Sequence, residues 1–203
     1  MFNGYNSGIK KFIDVSIWAK NFGVKTISIW VLSTDNIKSR SRVELATLYN
    51  LFGRAARDPA VLKILKDNDA RVCIVGNTRI LPKRLRSALS ELEERTRAYH
   101  SFFINILIGY GGRDDIIYAV NRASRKGGRI SHDDIRSNLQ SSTLPDVDMI
   151  IRTSGEMRLS GLLPWQGAYS ELYFSKKYWP SFGRSDLRRA IASFSCRERR
   201  FGK

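Results

Sequence analysis

The 203-residue chain is poor in the features that define several common classes of protein. It has only two cysteines, Cys73 and Cys196, which are too few for a disulfide framework and indicate a reducing, cytoplasmic setting. No apolar run approaches the roughly 20 residues that span a bilayer, and the first residues lack the apolar core of a signal peptide. The chain also lacks internal repeats and low-complexity linkers, so we expect a single domain over residues 1–203.

Acidic residues are scarce relative to basic ones. The 35 lysines and arginines outnumber 19 aspartates and glutamates, which gives a formal net charge of +16. Such an excess attracts anionic partners over long distances, and nucleic acid, an anionic membrane surface and phosphorylated substrates all qualify. The basic residues are scattered, with local crowding at 83–86, at 122–129 and in the last residues. A solvated basic surface therefore remains an alternative.

Four short apolar segments predict strands that are buried in a parallel sheet. They are rich in β-branched residues and read VKTISIWVL (24–32), ARVCIVG (70–76), FFINILIG (102–109) and VDMII (147–151). Amphipathic helical patterns separate them, and start signals such as Ser41 before Glu44 precede two of the helices. This alternation predicts an α/β fold with a mainly parallel central sheet flanked by helices.

Polar and glycine-rich residues follow each predicted strand, which is where ligands bind in open parallel sheets. After the fourth strand, Arg152, Arg158 and Ser160 lie within nine residues around a glycine turn. Two guanidinium groups and a hydroxyl suit a diphosphate if they converge on it. Surface ion pairs with Glu156 and Asp148 are the alternative interpretation of these arginines.

The segment 147–182 closely resembles the signature block of undecaprenyl-diphosphate synthase-type cis-prenyltransferases. It reads VDMIIRTSGEMRLSGLLPWQGAYSELYFSKKYWPSF. Other segments typical of the family follow the family's order, namely LSTDN, RVCIVGNTRILP, INILIGYGGRDDII and a terminal RERRFG. The matches extend from about Gly4 to Gly202. The resemblance implies an α/β sheet with surrounding helices, a hydrophobic product tunnel, and a homodimer or a heterodimer with a homologous subunit.

The resemblance also implies a reaction and the residues that bind its substrates. Such enzymes condense isopentenyl diphosphate onto an allylic prenyl diphosphate in cis configuration, with Mg2+ as cofactor, to make polyprenyl lipid carriers. Arg152, Arg158 and Ser160 match the residues that hold isopentenyl diphosphate. Glu171 matches an acidic residue that is linked to Mg2+ and to substrate positioning, although an ordinary polar position between two tyrosines is the alternative.

Two further pairs of residues match functional positions of the family. Ser33 and Asn36 match residues near the reacting diphosphates, although a turn after a strand explains a serine and an asparagine equally well. Arg200 and Gly202 match a C-terminal Arg-x-Gly motif that reaches the partner's active site across the dimer. A disordered basic end is the alternative for that tail.

Some positions depart from the family pattern. The family's first strand and its Asp-Gly-Asn-x-Arg phosphate loop precede a Gly-His segment, where this chain has Gly4 and Tyr5 close to its first residue. Ile37 replaces a usual Trp, and Asn77 replaces an Asp. We therefore expect an exposed sheet edge, and weak or no condensing activity from these residues alone. A misassigned start or truncated gene, a non-catalytic partner subunit, and a degenerate enzyme are three explanations.

Two hypotheses from other classes remain. A basic nucleic-acid-binding protein needs clustered Lys and Arg with exposed aromatic residues or a reading helix, and the sequence shows neither, so we expect no nucleic-acid partner. A non-catalytic scaffold is the other. Peripheral contact with an anionic membrane also stays open. The inferred chemistry needs no covalent nucleophile, so we expect His100 and His132 to be structural or exposed.

Overall fold

The computed structural model describes residues 2–197, with their side chains from Ser7 onward. Eight α-helices and five strands alternate within this range. The helices are α1 (Phe2–Asn21), α2 (Thr34–Ser39), α3 (Arg42–Ala55), α4 (Pro59–Asp67), α5 (Lys83–Thr96), α6 (Gly112–Ala123), α7 (His132–Asn138) and α8 (Arg184–Ser195). The strands are β1 (Thr26–Ser33), β2 (Ala70–Val75), β3 (Phe102–Tyr110), β4 (Met149–Arg152) and β5 (Glu171–Phe174).

The central sheet has three parallel strands in the order β1, β3, β2. The middle strand, β3, is the most deeply buried, and its residues Phe102, Leu107 and Ile108 are at most 1% exposed. Because all three strands run in the same direction, their carboxyl ends meet at one edge of the sheet. Polar residues that follow these strands are therefore brought to the same side of the molecule.

The fourth predicted strand lies in a second, smaller sheet. In this sheet β4 pairs in parallel with β5, with Met149 opposite Glu171 and Arg152 opposite Phe174. Within the described residues, β1 and β4 each lie at an edge. Only Leu32 of β1 is buried, although the strand is almost continuously apolar. The predicted parallel sheet flanked by helices is thus confirmed, whereas the placement of 147–151 in the same sheet is wrong.

The helices pack on the central sheet through one main hydrophobic core. Leu48 of α3, Leu85 of α5 and Leu187 of α8 are at most 5% exposed and share this core with residues of all three central strands. The predicted start of α3 is confirmed, because the Ser41 hydroxyl accepts a hydrogen bond from the Glu44 backbone N–H at 3.2 Å. The helices therefore fix the strand ends from which the candidate site is built.

Candidate functional site

Side chains join the carboxyl ends of β1 and β3. Ser33 lies opposite Tyr110 in the strand pairing. The Trp30 indole N–H donates to the Tyr110 carbonyl at 3.1 Å. The Thr34 hydroxyl, which is 8% exposed, donates to the Asp114 carboxylate at 2.6 Å. These contacts tie the starts of α2 and α6 together, so the polar residues after both strands share one edge.

At two glycines the chain approaches its neighbours more closely than a side chain would permit. After β2, Gly76 has a φ of +125°, and a Cβ there would lie 2.4 Å from the Ile108 carbonyl oxygen. At the start of α6, the Gly112 N–H donates to the Gly161 carbonyl at 3.0 Å. A Cβ on Gly112 would lie 2.2 Å from Cδ of Pro164. The segment between β4 and β5 is therefore docked directly on the start of α6.

Ser33 and Asn36, which were predicted to lie near the reacting groups, form a reciprocal helix cap. The Ser33 hydroxyl accepts from the Asn36 backbone N–H at 2.9 Å, and the Asn36 side-chain oxygen accepts from the Ser33 backbone N–H at 3.4 Å. Both residues are half-buried. The turn interpretation therefore explains their local arrangement. A hydroxyl that accepts a hydrogen bond can also donate one, so contact with a substrate stays a prediction.

The residues between β4 and β5, which we call the anion loop (153–170), follow directly after Arg152. Arg152 is half-buried at the end of β4, and its carbonyl accepts from the Ser175 N–H at 2.7 Å. Arg158 and Ser160 are exposed. Arg158 forms an ion pair with Glu156, so the alternative inferred from sequence is observed for this arginine. The convergence of both arginines on one anion stays a prediction.

Three non-glycine residues of the anion loop adopt left-handed backbone conformations. They are Ser154, Ser160 and Leu163, with φ of +67°, +53° and +42°. Among the described residues, Asp69 is the one other non-glycine residue with a positive φ. Such conformations cost roughly 1–2 kcal/mol per residue and persist where the surroundings impose them. The anion loop is therefore shaped by tertiary contacts, such as the bond from the Ser154 N–H to the Lys177 carbonyl at 2.7 Å.

Glu171, the predicted metal-linked residue, begins β5. Its N–H donates to the Asp148 carbonyl at 2.9 Å, and its carboxylate, which is 25% exposed, accepts from Arg197. Over residues 2–197, no three His, Cys, Asp or Glu side chains are grouped so that they could hold a metal ion. Magnesium commonly takes one or two carboxylates together with substrate phosphates. Glu171 thus fits Mg2+ only when a diphosphate supplies further ligands.

The last pair of predicted site residues, Arg200 and Gly202, lies outside the described residues. The structure can be followed as far as Arg197, which contacts Glu171. Of the two histidines, His100 has a side chain that is 84% exposed. His132 is also exposed and makes an edge contact with the Trp165 ring. The prediction that His100 and His132 are structural or exposed agrees with these positions.

Sequence reasoning missed a buried polar network beside the anion loop. Asp115, which is 1% exposed, accepts from a backbone N–H at 2.6 Å and from the Ser141 hydroxyl. Gln166 in turn donates to the Ser141 hydroxyl at 2.8 Å. Burial raises the pKa of Asp115 and of Tyr110, whose phenol also faces the Asp115 charge. The one sequence signal is the position of Asp115 four residues before Ala119, on the buried face of α6.

Comparisons with known proteins return relatives of one kind. A family model described as "Putative undecaprenyl diphosphate synthase" matches residues 1–202. An isoprenyl transferase from Thermus thermophilus is 41% identical over 211 residues, which cover 98% of this chain and 80% of that protein. A tritrans,polycis-undecaprenyl-diphosphate synthase (geranylgeranyl-diphosphate specific) from Thermoplasma volcanium is 40% identical over 212 residues, with coverages of 98% and 80%. The crystal structure of lavandulyl diphosphate synthase from Lavandula x intermedia, in complex with dimethylallyl diphosphate, is 30% identical. It has a TM-score of 0.92 and covers 100% of this chain and 89% of that one.

Proposed function

Because the chain belongs to the undecaprenyl diphosphate synthase family of prenyltransferases, we propose that it condenses isopentenyl diphosphate onto an allylic prenyl diphosphate in cis configuration. The product is a longer polyprenyl diphosphate for lipid-carrier synthesis. One observation supports a location for the proposed binding site. The anion loop, with two arginines and a serine in or beside it, leaves the carboxyl end of a parallel strand, where such folds bind ligands.

Arg152, Arg158 and Ser160 are the proposed ligands of the isopentenyl diphosphate head. Arginine presents a planar fork of donors that matches phosphate oxygens. Each such charged contact contributes about 1.5–3 kcal/mol. The exposed ion pair between Arg158 and Glu156 opposes this by only about 0–1 kcal/mol. A diphosphate therefore competes successfully with Glu156 for the Arg158 guanidinium.

In the proposed reaction the bond between C1 and oxygen of the allylic diphosphate breaks, and the diphosphate leaves with the electron pair. The double bond of isopentenyl diphosphate attacks C1, forms the new carbon–carbon bond, and a proton is then lost. Ser33 and Asn36 are proposed to lie near the reacting diphosphates, where fixed donors stabilise developing charge. Mg2+, when bound, supplies further neutralisation of the leaving group. Glu171 is the residue that would hold it, after releasing Arg197.

We also propose that the chain forms a dimer, with a second copy or with a homologous subunit. Large side chains are exposed in the anion loop and after β5: Met157, Tyr169 and Tyr178 are 76%, 72% and 71% exposed. Methionine and tyrosine are enriched at protein interfaces. Arg200 and Gly202 would then reach the partner's site. We expect a Tyr169→Ser variant to dissociate at higher concentration than wild type in sedimentation experiments, and a wild-type monomer would contradict this.

Contact with a membrane is proposed to be peripheral. None of the helices in the described part of the chain has the length and apolar character to cross a bilayer. The net charge of +16 favours anionic surfaces instead. In flotation experiments we expect binding to anionic vesicles at low salt and release at high salt. Absence of binding at low salt would contradict this, and steep salt-dependent binding to duplex DNA without response to diphosphates would favour the nucleic-acid alternative.

Titration calorimetry with isopentenyl diphosphate tests the proposed site. We expect Arg158→Ala to weaken binding by roughly 10- to 100-fold, the equivalent of one charged contact. Arg97→Ala is the matched control, because Arg97 follows α5 near the amino end of β3 and pairs with an exposed glutamate at 3.6 Å. Wild-type chain that does not bind, or Arg158→Ala that binds equally well, would contradict the proposal.

A further inference from the structure

A buried chain of hydrogen bonds connects α6 to the anion loop. In α6, the Asp115 carboxylate is fixed by the Gln140 backbone N–H at 2.6 Å and accepts from the Ser141 hydroxyl. Ser141 is 0% exposed, and its hydroxyl and carbonyl oxygens accept from Nε2 of Gln166 at 2.8 and 3.0 Å. This series of hydrogen bonds therefore begins in α6, near the strand ends, and finishes inside the anion loop.

Gln166 also connects the two segments that carry the proposed diphosphate ligands, namely β4 with Arg152 and the anion loop with Arg158. Its backbone carbonyl accepts from the Val147 N–H at 2.9 Å, just before the strand that ends in Arg152. The next residue, Gly167, donates its N–H to the Leu163 carbonyl at 2.7 Å and closes a turn of the anion loop. A displacement of Gln166 would thus move β4, which carries Arg152, relative to the part of the anion loop that carries Arg158 and Ser160.

The anion loop needs such support because its backbone is not locally favoured. Ser160 and Leu163 are left-handed without being glycine, and side chains of this kind rarely adopt that conformation unless surrounding contacts impose it. Gln166 lies three residues after Leu163 and is 3% exposed. The hydrogen bonds between its side chain and Ser141 therefore hold the loop conformation from the buried side of the loop.

The Gln166 side chain has one paired and one unpaired polar atom. Oε1 is buried and has no hydrogen-bond partner among the described residues. An unpartnered buried acceptor destabilises the folded state. An apolar side chain of similar volume would remove the cost of burying Oε1, but it would also remove the Nε2 hydrogen bonds. The two Nε2 hydrogen bonds to Ser141 fix the direction in which this side chain holds the loop.

We propose that Gln166 and Ser141 are positioning residues for the diphosphate site: they hold the anion loop so that Arg152 and Arg158 match the spacing of a diphosphate. The inference rests on the function proposed above. Loss of the Gln166 side-chain bonds lets the loop relax, and the two arginines then no longer engage both phosphoryl groups together. A monophosphate, which needs only one of them, is bound almost as before.

Calorimetry with isopentenyl diphosphate and isopentenyl monophosphate tests this inference, beside thermal unfolding of the same samples. The variants are Gln166→Leu and Ser141→Ala. Matched controls are Gln140→Leu and Ser142→Ala, because Gln140 contacts Asp115 through its backbone only and Ser142 neighbours the buried serine. We expect Gln166→Leu and Ser141→Ala to weaken diphosphate binding by about tenfold or more and monophosphate binding far less. Neither control should change the preference for diphosphate.

Equal weakening for both ligands, unchanged diphosphate binding, or the same loss in the controls would overturn the positioning role. If Gln166→Leu fails to fold, Ser141→Ala is the second test: it deletes the hydroxyl that links Gln166 to Asp115 and keeps the Ser141 carbonyl as an acceptor for Gln166. Wild-type chain that binds neither ligand is a separate outcome, because it contradicts the proposed function itself. Discrimination between the two ligands is the readout that a merely structural role would leave unchanged.

Discussion

Replacement of Gly112 by alanine distinguishes the effect of close packing at the site from the effect of helix propensity, because the two change the stability in opposite directions. Gly112 is the first residue of α6 and has no positive φ, so alanine alone would favour the helix by up to about 1 kcal/mol. A Cβ there would, however, lie 2.2 Å from Cδ of Pro164 and 2.4 Å from the Gly161 carbonyl oxygen. The helix and the anion loop must separate to admit it. Overpacking of this kind costs about 1–3 kcal/mol, beside the strain on the 3.0 Å bond from Gly112 to Gly161.

We therefore expect Gly112→Ala to lose a net stability of about 2 kcal/mol, which lowers the unfolding midpoint by about 4–8 °C for a chain of this size. Isopentenyl diphosphate should also bind more weakly. Gly53→Ala is the control: it lies in α3, where a Cβ would meet only Cδ1 of Leu85 at 3.9 Å, and should gain about 0.5–1 kcal/mol. Circular dichroism during heating measures both. A Gly112→Ala protein as stable as wild type would refute the packing described here.

Three further predictions concern charged groups. Glu156→Gln frees the neighbouring arginine and should tighten isopentenyl diphosphate binding in calorimetry, so weaker binding would contradict the site. Glu171→Gln should reduce the Mg2+ dependence of isopentenyl diphosphate binding in calorimetry with little change in melting temperature, because its ion pair with Arg197 is partly exposed; an unchanged Mg2+ dependence would remove its proposed role. The hydrogen bond from Lys177 holds the pKa of Asp186 below its ordinary value, so the stability it contributes is present above the ordinary pKa and lost as pH falls through the lowered pKa. Urea midpoints of wild type should therefore drop more on acidification than those of Asp186→Asn, and parallel curves would contradict this.

The strands and helices could be predicted because their signals are local. The β3 segment is apolar apart from Asn105, and Ser41 with Glu44 indicates a helix start without reference to any distant residue. The separation of β4 from the central sheet could not be predicted in this way. Periodicity shows that a segment is a strand, but strand order depends on which edges pair across the fold, and β4 finds its partner in β5.

The candidate site shows the same division. Arg152, Arg158 and Ser160 could be selected from sequence, because their residue types suit phosphates and they follow a predicted strand. The supporting network could not, because Ser141 and Gln166 are 25 residues apart and look like ordinary loop residues until the fold buries them. A sequence pattern readily identifies residues that can bind an anion. It identifies less readily the residues that hold those anion-binding residues in place.

The central claim is that the guanidinium groups of Arg152 and Arg158 bind one diphosphate together. A double-mutant cycle of Arg152→Ala and Arg158→Ala, with isopentenyl diphosphate affinity measured by calorimetry, tests it most directly. Residues that act on one ligand group are coupled, by about 0.5–3 kcal/mol, so the double variant should bind differently from the sum of the two single losses. Strict additivity, or single variants that bind like wild type, would contradict the claim.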